Sequence, residues 1–201
     1  LGQVLLSRPI RDVNGNAENH DTSYVYDLYG NLSYVLPPML AERIEQGYIR
    51  SLSDEQPLIK AYAYLYTYDE RHRCIWKRLP GCEPIYHVYD KADRLILSQD
   101  GEQRKTQKWK FTKYDVFGRD ILKGEQIINS DHQFLRNKYN NVVIKESSGN
   151  GEFKYTWNTL PEVTPDGVLS VNRFDNYDYV ISKSLTSLYY SSKNEYGKCY
   201  N

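Results

Sequence analysis

The sequence predicts an all-β fold: an antiparallel meander of hairpins that forms a twisted, open sheet with one short helical insertion. The first observation is a repeat of a Tyr-Asp pair, two variable residues, a residue that tolerates a left-handed backbone, and an apolar run. Copies start at Tyr26, Tyr68, Tyr89 and Tyr114, and a period of about 20–25 residues indicates a repeat architecture. The second observation is the alternation of tyrosines with small or apolar residues at 61–69, which is the period of a β-strand.

Each copy has the residues of a tight hairpin turn. An Asp at the first turn position accepts a hydrogen bond from the backbone two residues on, and Gly, Asn, Asp or His can follow with positive φ. This order predicts a type I turn closed by a left-handed residue, which makes a bulge in the strand pair. The repeat residues are Tyr26, Asp27 and Gly30, then Tyr68, Asp69, His72 and Arg73, then Tyr89, Asp90, Asp93 and Arg94, and finally Tyr114, Asp115, Gly118 and Arg119.

These residues carry a resemblance to a known family. The motif resembles the YD repeat of the Rhs family, which teneurins and the shell subunits of insecticidal toxin complexes share. The strings SYVYDLYGNLSYVLPP, YTYDERHRCIWKRLPG and VYDKADRLILSQDG resemble Rhs-type proteins of Bacteroidetes more specifically. The resemblance covers about residues 22–121, with a weaker echo, NRFDNYDYVISKS, near Phe174. His72 and Asp93 replace the glycine that is usual in the family.

The resemblance implies a structural role. In such proteins YD repeats coil into a large hollow barrel that encloses a C-terminal polypeptide, often a toxin. The resemblance also implies a secreted or cell-surface location. The family's self-cleaving aspartate motif lies near the C-terminal end of the shell, and nothing in this sequence matches it.

The strands are predicted in order along the chain. Residues 1–10 are expected to include a strand of a preceding repeat, and residues 13–16 form a turn signal. The whole chain, residues 1–201, is predicted to be one YD-repeat β domain and a fragment of a longer protein. Further strands are predicted at 22–27, 31–36, 62–69, 73–79, 84–90, 94–99, 108–115 and 119–124, with turns at Pro80-Gly81 and Asp100-Gly101.

Residues 37–61 are predicted to be a short helical insertion between two repeats. Pro38 is placed for a helix start and Gly47 for its end. Ser53 and Gln56 have the spacing of a capping box for a second short turn. Pro57 and the tyrosines that follow it favour a quick return to strand.

Beyond residue 124 the repeat pattern loosens. Four segments still alternate as strands do, and Asn, Gly or Pro turn signals separate them. Tyr139-Asn140 and Trp157-Asn158 are interpreted as worn copies of the Tyr-Asp pair, since Asn can serve the same turn. Residues 184–201 have no strong period. The four segments are FLRNKYN (134–140), NVVIKES (141–147), EFKYTWN (152–158) and GVLSVNRFD (167–175).

The composition excludes several classes of function. The chain has 26 basic and 26 acidic residues, so its formal net charge is zero, and no basic stripe indicates nucleic-acid binding. No apolar run approaches the ~20 residues of a membrane span, and no signal peptide is visible. The 20 tyrosines are the outlier, and tyrosine favours strands while it keeps its hydroxyl in water.

The repeated charged residues are expected to be structural. Catalytic carboxylates occupy unlike environments, whereas these four aspartates stand at the same place in every copy. The recurring arginines are expected to pair or stack along the sheet. We therefore predict no catalytic, cofactor-binding or metal-binding residues and no enzyme activity.

The histidines and cysteines give no ligand set. Residues 74 and 82 would lie about 25 Å apart in an extended chain, whereas a disulfide needs Cα atoms within about 7 Å. Free thiols are therefore expected. The residues concerned are His20, His72, His87 and His132, in four different segments, and Cys74, Cys82 and Cys199.

Two functions of different classes stay open. The first is a structural segment of a shell around a C-terminal, toxin-like polypeptide, with the rest of the parent chain and that cargo as partners. The second is a cell-surface adhesion module that binds carbohydrate or protein through an exposed tyrosine stripe. A cross-strand aromatic ladder is the simpler explanation of that stripe, which comprises Tyr62, Tyr64, Tyr66 and Tyr68. Exposed sheet edges also predict weak self-association.

Overall fold

The computed structural model of the chain describes residues 3–8, 10–13, 16–149, 153, 155–156 and 161–174. The strands are β1 (Leu6–Ser7), β2 (Ile10–Val13), β3 (Asn16–Asn19), β4 (Thr22–Tyr26), β5 (Leu32–Leu36), β6 (Tyr64–Tyr68), β7 (Cys74–Arg78), β8 (Ile85–Tyr89), β9 (Leu95–Gln99), β10 (Lys108–Tyr114), β11 (Asp120–Ile127) and β12 (Val168–Val171). The helices are α1 (Pro38–Glu45), α2 (Pro57–Tyr62), α3 (Gly101–Lys105) and α4 (His132–Tyr139), with a 3-10 turn at Pro165–Gly167. In the described part of the chain, none of these helices is long and apolar enough to cross a membrane.

Ten strands form one antiparallel sheet in the order β1-β4-β5-β6-β7-β8-β9-β10-β11-β12. After the first step, neighbours in the sheet follow one another in the chain, which is a meander. Strands β2 and β3 form a separate hairpin. Among the described residues β1 pairs only with β4 and β12 only with β11, so the sheet is open. The predicted all-β, open meander is confirmed.

The strand pattern agrees with the alternation in the sequence. In β6, Leu65 is 2% exposed, whereas its neighbour Tyr64 is 37% exposed. The predicted strands at 22–36 and 73–124 are observed with only small shifts of their ends. Tyr62 is the exception, because it ends α2 and so does not belong to the tyrosine stripe of the strand.

One face of the sheet carries the hydrophobic core and the longer helices. Residues directly opposite one another in antiparallel strands lie on the same face of the sheet. Trp76 lies opposite Tyr86, so both side chains are on the face that carries the core. Trp76 packs against the first of two clusters and Tyr86 against the second. Full burial of one large apolar side chain contributes about 1.5–3 kcal/mol. The first cluster joins Leu36 and Leu65 to Leu40 of α1 and Ile59 of α2, and the second joins Val88, Leu97, Trp109, Phe111 and Leu122 to Leu135 and Tyr139 of α4.

The insertion at 37–61 holds two helices. Helix α1 begins at Pro38 as predicted, and Gly47 follows its end with φ of 76°. The predicted quick return to strand after Pro57 is wrong, because Pro57 begins α2 instead. Proline is tolerated in a first helical turn, where its missing N–H has no partner to lose.

Helix α4 replaces a predicted strand at 134–140. Leu135 and Tyr139 are buried and four residues apart, which is helical spacing, and Asp131 caps the helix through the N–H of Phe134 (2.7 Å). Tyr139-Asn140 therefore ends a helix and is not a copy of the Tyr-Asp turn. In the segment 141–147 there is no strand, only a bridge at Glu146. Of the two remaining predicted strands, GVLSVNRFD is observed in part as β12. EFKYTWN is described only at residues 153, 155 and 156, where Tyr155 forms an isolated bridge to Ser148. Trp157-Asn158, Cys199 and all residues from Asp175 onward lie outside the described residues.

Candidate functional site

The Asp turns lie together at one end of the sheet and share one geometry. In the third copy, Asp90 Oδ1 accepts hydrogen bonds from the N–H groups of Ala92 (2.9 Å) and Arg94 (3.0 Å). The N–H of Asp93 donates to the Asp90 carbonyl (3.1 Å), and Asp93 has φ of 61°. The strand register shifts just before the turn, as a bulge requires. The predicted Asp cap and the left-handed Asp93 are confirmed.

The other three copies repeat this turn. In each, one carboxylate oxygen accepts hydrogen bonds from the backbone N–H groups two and four residues on, at 2.8–3.0 Å. Their left-handed residues have φ of 85°, 60° and 80°. Repetition of the aspartates therefore reflects a turn that each hairpin needs. The residues are Asp27 with Gly30, Asp69 with His72, and Asp115 with Gly118.

Arg73 and Arg94 each link their own turn to the turn of the next hairpin. Arg73 Nε donates to the Asp69 carboxylate (2.8 Å), and its Nη1 donates to the backbone carbonyl of Asp90 (2.9 Å). Arg94 repeats both bonds, to Asp90 (3.0 Å) and to the carbonyl of Asp115 (3.4 Å). One guanidinium thus bridges two turns. We use the name turn ladder for this row, which comprises Asp27, Asp69, Asp90 and Asp115 with Asn31, Arg73, Arg94 and Arg119.

The tyrosines of the third and fourth motifs, Tyr89 and Tyr114, contact the preceding hairpin in return. Tyr89 donates its hydroxyl hydrogen to the carbonyl of Cys74 (3.0 Å), the residue after Arg73. The guanidinium of Arg73 lies 5.3 Å from the centre of the Tyr89 ring. Tyr114 makes the same two contacts. The guanidinium of Arg94 lies 5.0 Å from the centre of the Tyr114 ring, and the Tyr114 hydroxyl donates to the carbonyl of Leu95 (2.9 Å), the residue after Arg94. A cation–π contact of this kind contributes about 0.5–2 kcal/mol.

The ladder changes its chemistry at both ends. At the first turn Asn31 stands in place of arginine, and its Nδ2 donates to Asp27 (2.8 Å). Its Oδ1 lies 2.8 Å from Nδ1 of His72 in the next turn, so a contact between two side chains replaces the guanidinium bridge. At the last turn the Arg119 guanidinium lies 4.3 Å from the ring centre of Phe174. Phe174 therefore takes the tyrosine position, in the segment that the sequence marks as a weaker echo of the repeat.

The turn ladder keeps fixed charges at neutral pH. Burial raises the pKa of Asp69, but hydrogen bonds from Arg73 and from the backbone outweigh it, so that this pKa lies below its ordinary value. The same balance of burial against hydrogen bonds from Arg119 and the backbone lowers the pKa of Asp115. Burial raises the pKa of Tyr89 to about 12. Asp69 and Asp115 are therefore ionised at neutral pH, and Tyr89 is neutral.

A segment that the sequence analysis missed crosses the turn ladder. Residues 140–146, which we name the strap, follow α4 and pass over three successive turns. At the first of these, Asn140 Oδ1 accepts a hydrogen bond from Arg73. At the second, the carbonyl of Val142 accepts from the N–H of Lys91 (3.0 Å).

The strap makes further hydrogen bonds to the second and third of these turns. The N–H of Ile144 donates to Asp90 (3.3 Å), and its carbonyl accepts from Arg94. The N–H of Glu146 then donates to the carbonyl of Tyr114 (2.8 Å). Two strands occupy about 9.6 Å and an extended chain advances about 3.3 Å per residue, so about three strap residues match one hairpin. This match explains why backbone groups of the strap can reach one turn after another.

A buried ion pair anchors the end of the strap. Lys113 Nζ lies 2.8 Å from Glu146 Oε1, and both side chains are 0% exposed. Thr156 Oγ1 donates to the second carboxylate oxygen (2.8 Å). Lys113 follows the buried residues Trp109 and Phe111 of β10 at the two-residue spacing of one strand face. This spacing in the sequence could have indicated that the lysine is buried. The partner, Glu146, had no such signal.

The histidines and cysteines have separate structural roles. His87 Nδ1 lies 3.0 Å from the carbonyl of Cys74, and His132 Nε2 lies 2.9 Å from the carbonyl of His87. Burial lowers the pKa of both imidazoles, so they are neutral at pH 7. Cys74 and Cys82 are free thiols, as predicted. Within the ranges that the structure describes, no group of three or more His, Cys, Asp or Glu residues could hold a metal ion.

Comparison with known proteins gives structural neighbours only. No family model and no curated protein matches the sequence. The chain is similar to the crystal structure of TcdB2-TccC3-Cdc42, with 19% identity over 65% of this chain and 6% of that chain and a TM-score of 0.47. It is similar to the crystal structure of TcdB2-TccC3-TEV, with 15% identity over 90% of this chain and 9% of that chain and a TM-score of 0.46.

A third neighbour is the structure of a Photorhabdus luminescens Tc holotoxin pore with a mutation in TccC3. It shares 20% identity over 59% of this chain and 5% of that chain, with a TM-score of 0.40. The chain thus spans less than a tenth of the length of each of these three solved chains.

Proposed function

We propose that this chain is a non-catalytic wall segment of a YD-repeat shell that encloses a C-terminal, toxin-like polypeptide. The observation that carries the proposal is the turn ladder. The two middle copies use an arginine and the tyrosine of the next motif to bind neighbouring hairpins to each other, as Arg73 and Tyr89 do. A unit whose repeated side chains bind the next unit is suited to building an extended wall. Such quasi-one-dimensional stacking is how repeat proteins make large surfaces.

The open sheet supports the same role. Strands at the edge of a sheet have N–H and C=O groups that can pair with another strand. In the described residues the outer edges are β1 and β12. We propose neighbouring repeats of the parent chain as their partners. In isolation, the same edges would support weak self-association of the chain, and sedimentation velocity over a concentration series would detect it. A strict monomer at high concentration would contradict exposed edges.

The charges of the site support a non-enzymatic role. The Asp69 carboxylate is bound by Arg73 and by backbone N–H groups, and Asp90 is bound in the same way by Arg94. Such carboxylates are committed to the turn and are poorly placed to accept or deliver a proton. The proposal therefore includes no enzyme activity, no cofactor and no nucleic-acid partner. It also includes a secreted or cell-surface location, where a protein of this kind would release its cargo.

Adhesion through tyrosines is the weaker alternative. The ring faces of Tyr89 and Tyr114 are occupied by arginine, and their hydroxyls are bonded to backbone carbonyls. Such rings have little left to offer a sugar. Tyr64 keeps 37% of its surface exposed, so it is the residue to replace if a glycan array gives a signal. Binding that Tyr64→Ala abolishes would favour adhesion over the shell.

Protection of the cargo tests the shell directly. In the complete parent protein, we expect the C-terminal polypeptide to resist limited proteolysis, because the wall excludes protease. The double variant Arg73→Met and Arg94→Met removes two links of the ladder and should expose the cargo. Lys91→Met, on an exposed turn tip, is the matched control and should keep the protection. Cleavage of the wild-type cargo as fast as that of the isolated polypeptide would contradict the proposal.

A further inference from the structure

The segment that leads into β1 contacts the first turn in the way that one hairpin of the turn ladder contacts the next. Tyr26 donates its hydroxyl hydrogen to the carbonyl of Val4 (3.1 Å). Tyr89 makes the same bond to the carbonyl of the residue after Arg73 (3.0 Å). Val4 therefore stands in the place of the residue after Arg73, and Gln3 stands in the place of the arginine itself.

The side chain of Gln3 agrees with this assignment. Its Nε2 donates to the carbonyl of Gly30 in the first turn (3.0 Å), as Arg73 Nη1 donates to a backbone carbonyl of the turn that follows its own. In the sequence, Gly2 precedes Gln3 just as Gly30 precedes Asn31. Asn31 also shows that an amide can occupy the arginine position, because its Nδ2 donates to the carboxylate of its own turn (2.8 Å).

The donors of Gln3 match those that hold an aspartate elsewhere in the ladder. An amide nitrogen carries two hydrogens, and the Gly30 carbonyl takes one of them. The second hydrogen and the backbone N–H of Gln3 correspond to the two donors that Arg94 gives to the Asp90 carboxylate, from Nε (3.0 Å) and from its own backbone N–H (3.0 Å). The group that fits these donors is the carboxylate of an Asp turn that ends at Gln3.

The edge of β1 can accept the strand that such a turn would bring. The N–H of Tyr24 donates to the carbonyl of Leu5 (3.0 Å), so the backbone groups of Leu5 face β4. Pairs that are hydrogen-bonded alternate along an antiparallel ladder with pairs that are not, so the N–H and C=O of Leu6 point to the open edge. Val4, Leu5 and Leu6 are 55%, 66% and 48% exposed. An apolar edge with unpaired backbone groups is a template for another strand.

We propose that the open edge of β1 pairs with a strand that ends in a Tyr-Asp pair, and that Gln3 binds the carboxylate of this pair. The inference rests on the proposed function, because the parent chain would supply that strand. The turn ladder would then gain one link before Asp27, and the apolar edge of β1 would be covered. A strand from a second copy of the chain could pair with Leu6, but it would not bring an Asp turn that ends at Gln3.

Hydrogen–deuterium exchange tests the pairing of the edge. In the complete parent protein, the amide of Leu6 should exchange at least about 100-fold more slowly than in this chain alone, because a backbone hydrogen bond would protect it. Mass spectrometry with fragmentation that resolves single amides gives both rates. This chain is measured at a dilution at which it is monomeric, so that self-association does not protect the edge. Equal exchange rates in the two proteins would overturn the proposal.

Substitutions of Gln3 in the parent protein test the turn. Gln3→Ala removes the side-chain donors and should speed exchange at Leu6 by about tenfold, the effect of losing one hydrogen bond. Gln3→Arg supplies the residue of the later copies and should keep the protection. Ser7→Ala, at an exposed position of the same strand, is the control and should also keep it. Unchanged exchange in Gln3→Ala would show that Gln3 binds no carboxylate and would overturn its assignment to the ladder.

Failure of this inference and failure of the shell proposal give different results. Cargo that protease cuts freely in a parent protein with a protected Leu6 amide would contradict the shell and support the pairing of β1. Protected cargo with a Leu6 amide that exchanges as fast as in this chain alone would contradict the pairing and support the shell.

Discussion

The two ends of the sheet are built in different ways. At the turn end, four hairpins are closed by the same Asp turn, and the side chains of one turn bind the next. At the far end, each connection is different. Two helices join β5 to β6, a turn at Pro80-Gly81 joins β7 to β8, and the one-turn helix α3 joins β9 to β10.

The difference separates what a repeat must keep from what it can vary. A bond between neighbouring turns is useful only if both turns keep their residues, so the turn end preserves its motif. A connection at the far end needs only to return the chain to the sheet, and many segments can do so. We therefore expect changes at the turn end to cost more free energy of unfolding than changes at the far end.

The largest effect is expected where the strap is anchored to the turn end. Glu146→Ala removes the carboxylate from the buried ammonium of Lys113. Breaking one partner of a buried ion pair costs about 3–5 kcal/mol of unfolding free energy. Urea denaturation followed by circular dichroism would measure the loss. A cost below about 1 kcal/mol would show that the pair is not an anchor.

A double replacement sharpens this prediction. Lys113→Met with Glu146→Leu removes both charges and keeps similar volumes. Apolar replacement of a buried ion pair is often neutral or stabilising. We therefore expect the double variant to be more stable than Glu146→Ala. If it is less stable, the ion pair contributes through more than the compensation of charge.

A second large effect is expected from Asp90→Ala. Asp90 is 0% exposed and accepts hydrogen bonds from Ala92, Arg94 and the N–H of Ile144 in the strap. Buried donors left without acceptors give an expected loss of about 2–4 kcal/mol. Asp27→Ala is the matched control, because Asp27 caps the same turn without a strap above it. Equal losses in the two variants would show that the strap adds nothing to the ladder.

The turn end could be predicted from the sequence and most of the helices could not. Asp90, Asp93 and the bulge follow from local turn chemistry, which a few adjacent residues determine. Helix α4 contradicted its alternating pattern because burial of Leu135 and Tyr139 against a distant strand decided its conformation. The strap and Glu146 depend on contacts between remote segments, which a single sequence does not encode locally.

A smaller effect is expected at the far end. Asp100 forms a capping box at the start of α3, because its side chain accepts from the N–H of Gln103 (2.9 Å) and Gln103 Oε1 accepts from the N–H of Asp100 (3.0 Å). Asp100→Ala should cost about 0.5–2 kcal/mol, the usual range for loss of an N-cap. Asp100→Asn keeps the cap and is the control. A loss as large as that of Asp90→Ala would remove the distinction between the two ends.

The smallest effect is expected from Asp93→Gly, which isolates backbone strain from charge within one turn. Asp93 has φ of 61°, a conformation that glycine adopts with less strain, so the substitution should gain about 1 kcal/mol. It also removes exposed ion pairs with Arg71 (2.7 Å) and Arg73 (3.1 Å), each of which is worth at most about 1 kcal/mol. The two terms should nearly cancel. Asp93→Ala loses the same charges but keeps the strain, so it should be less stable than Asp93→Gly by about 1 kcal/mol. Urea midpoints of both variants give the comparison, and equal midpoints would mean that positive φ imposes no cost in this turn.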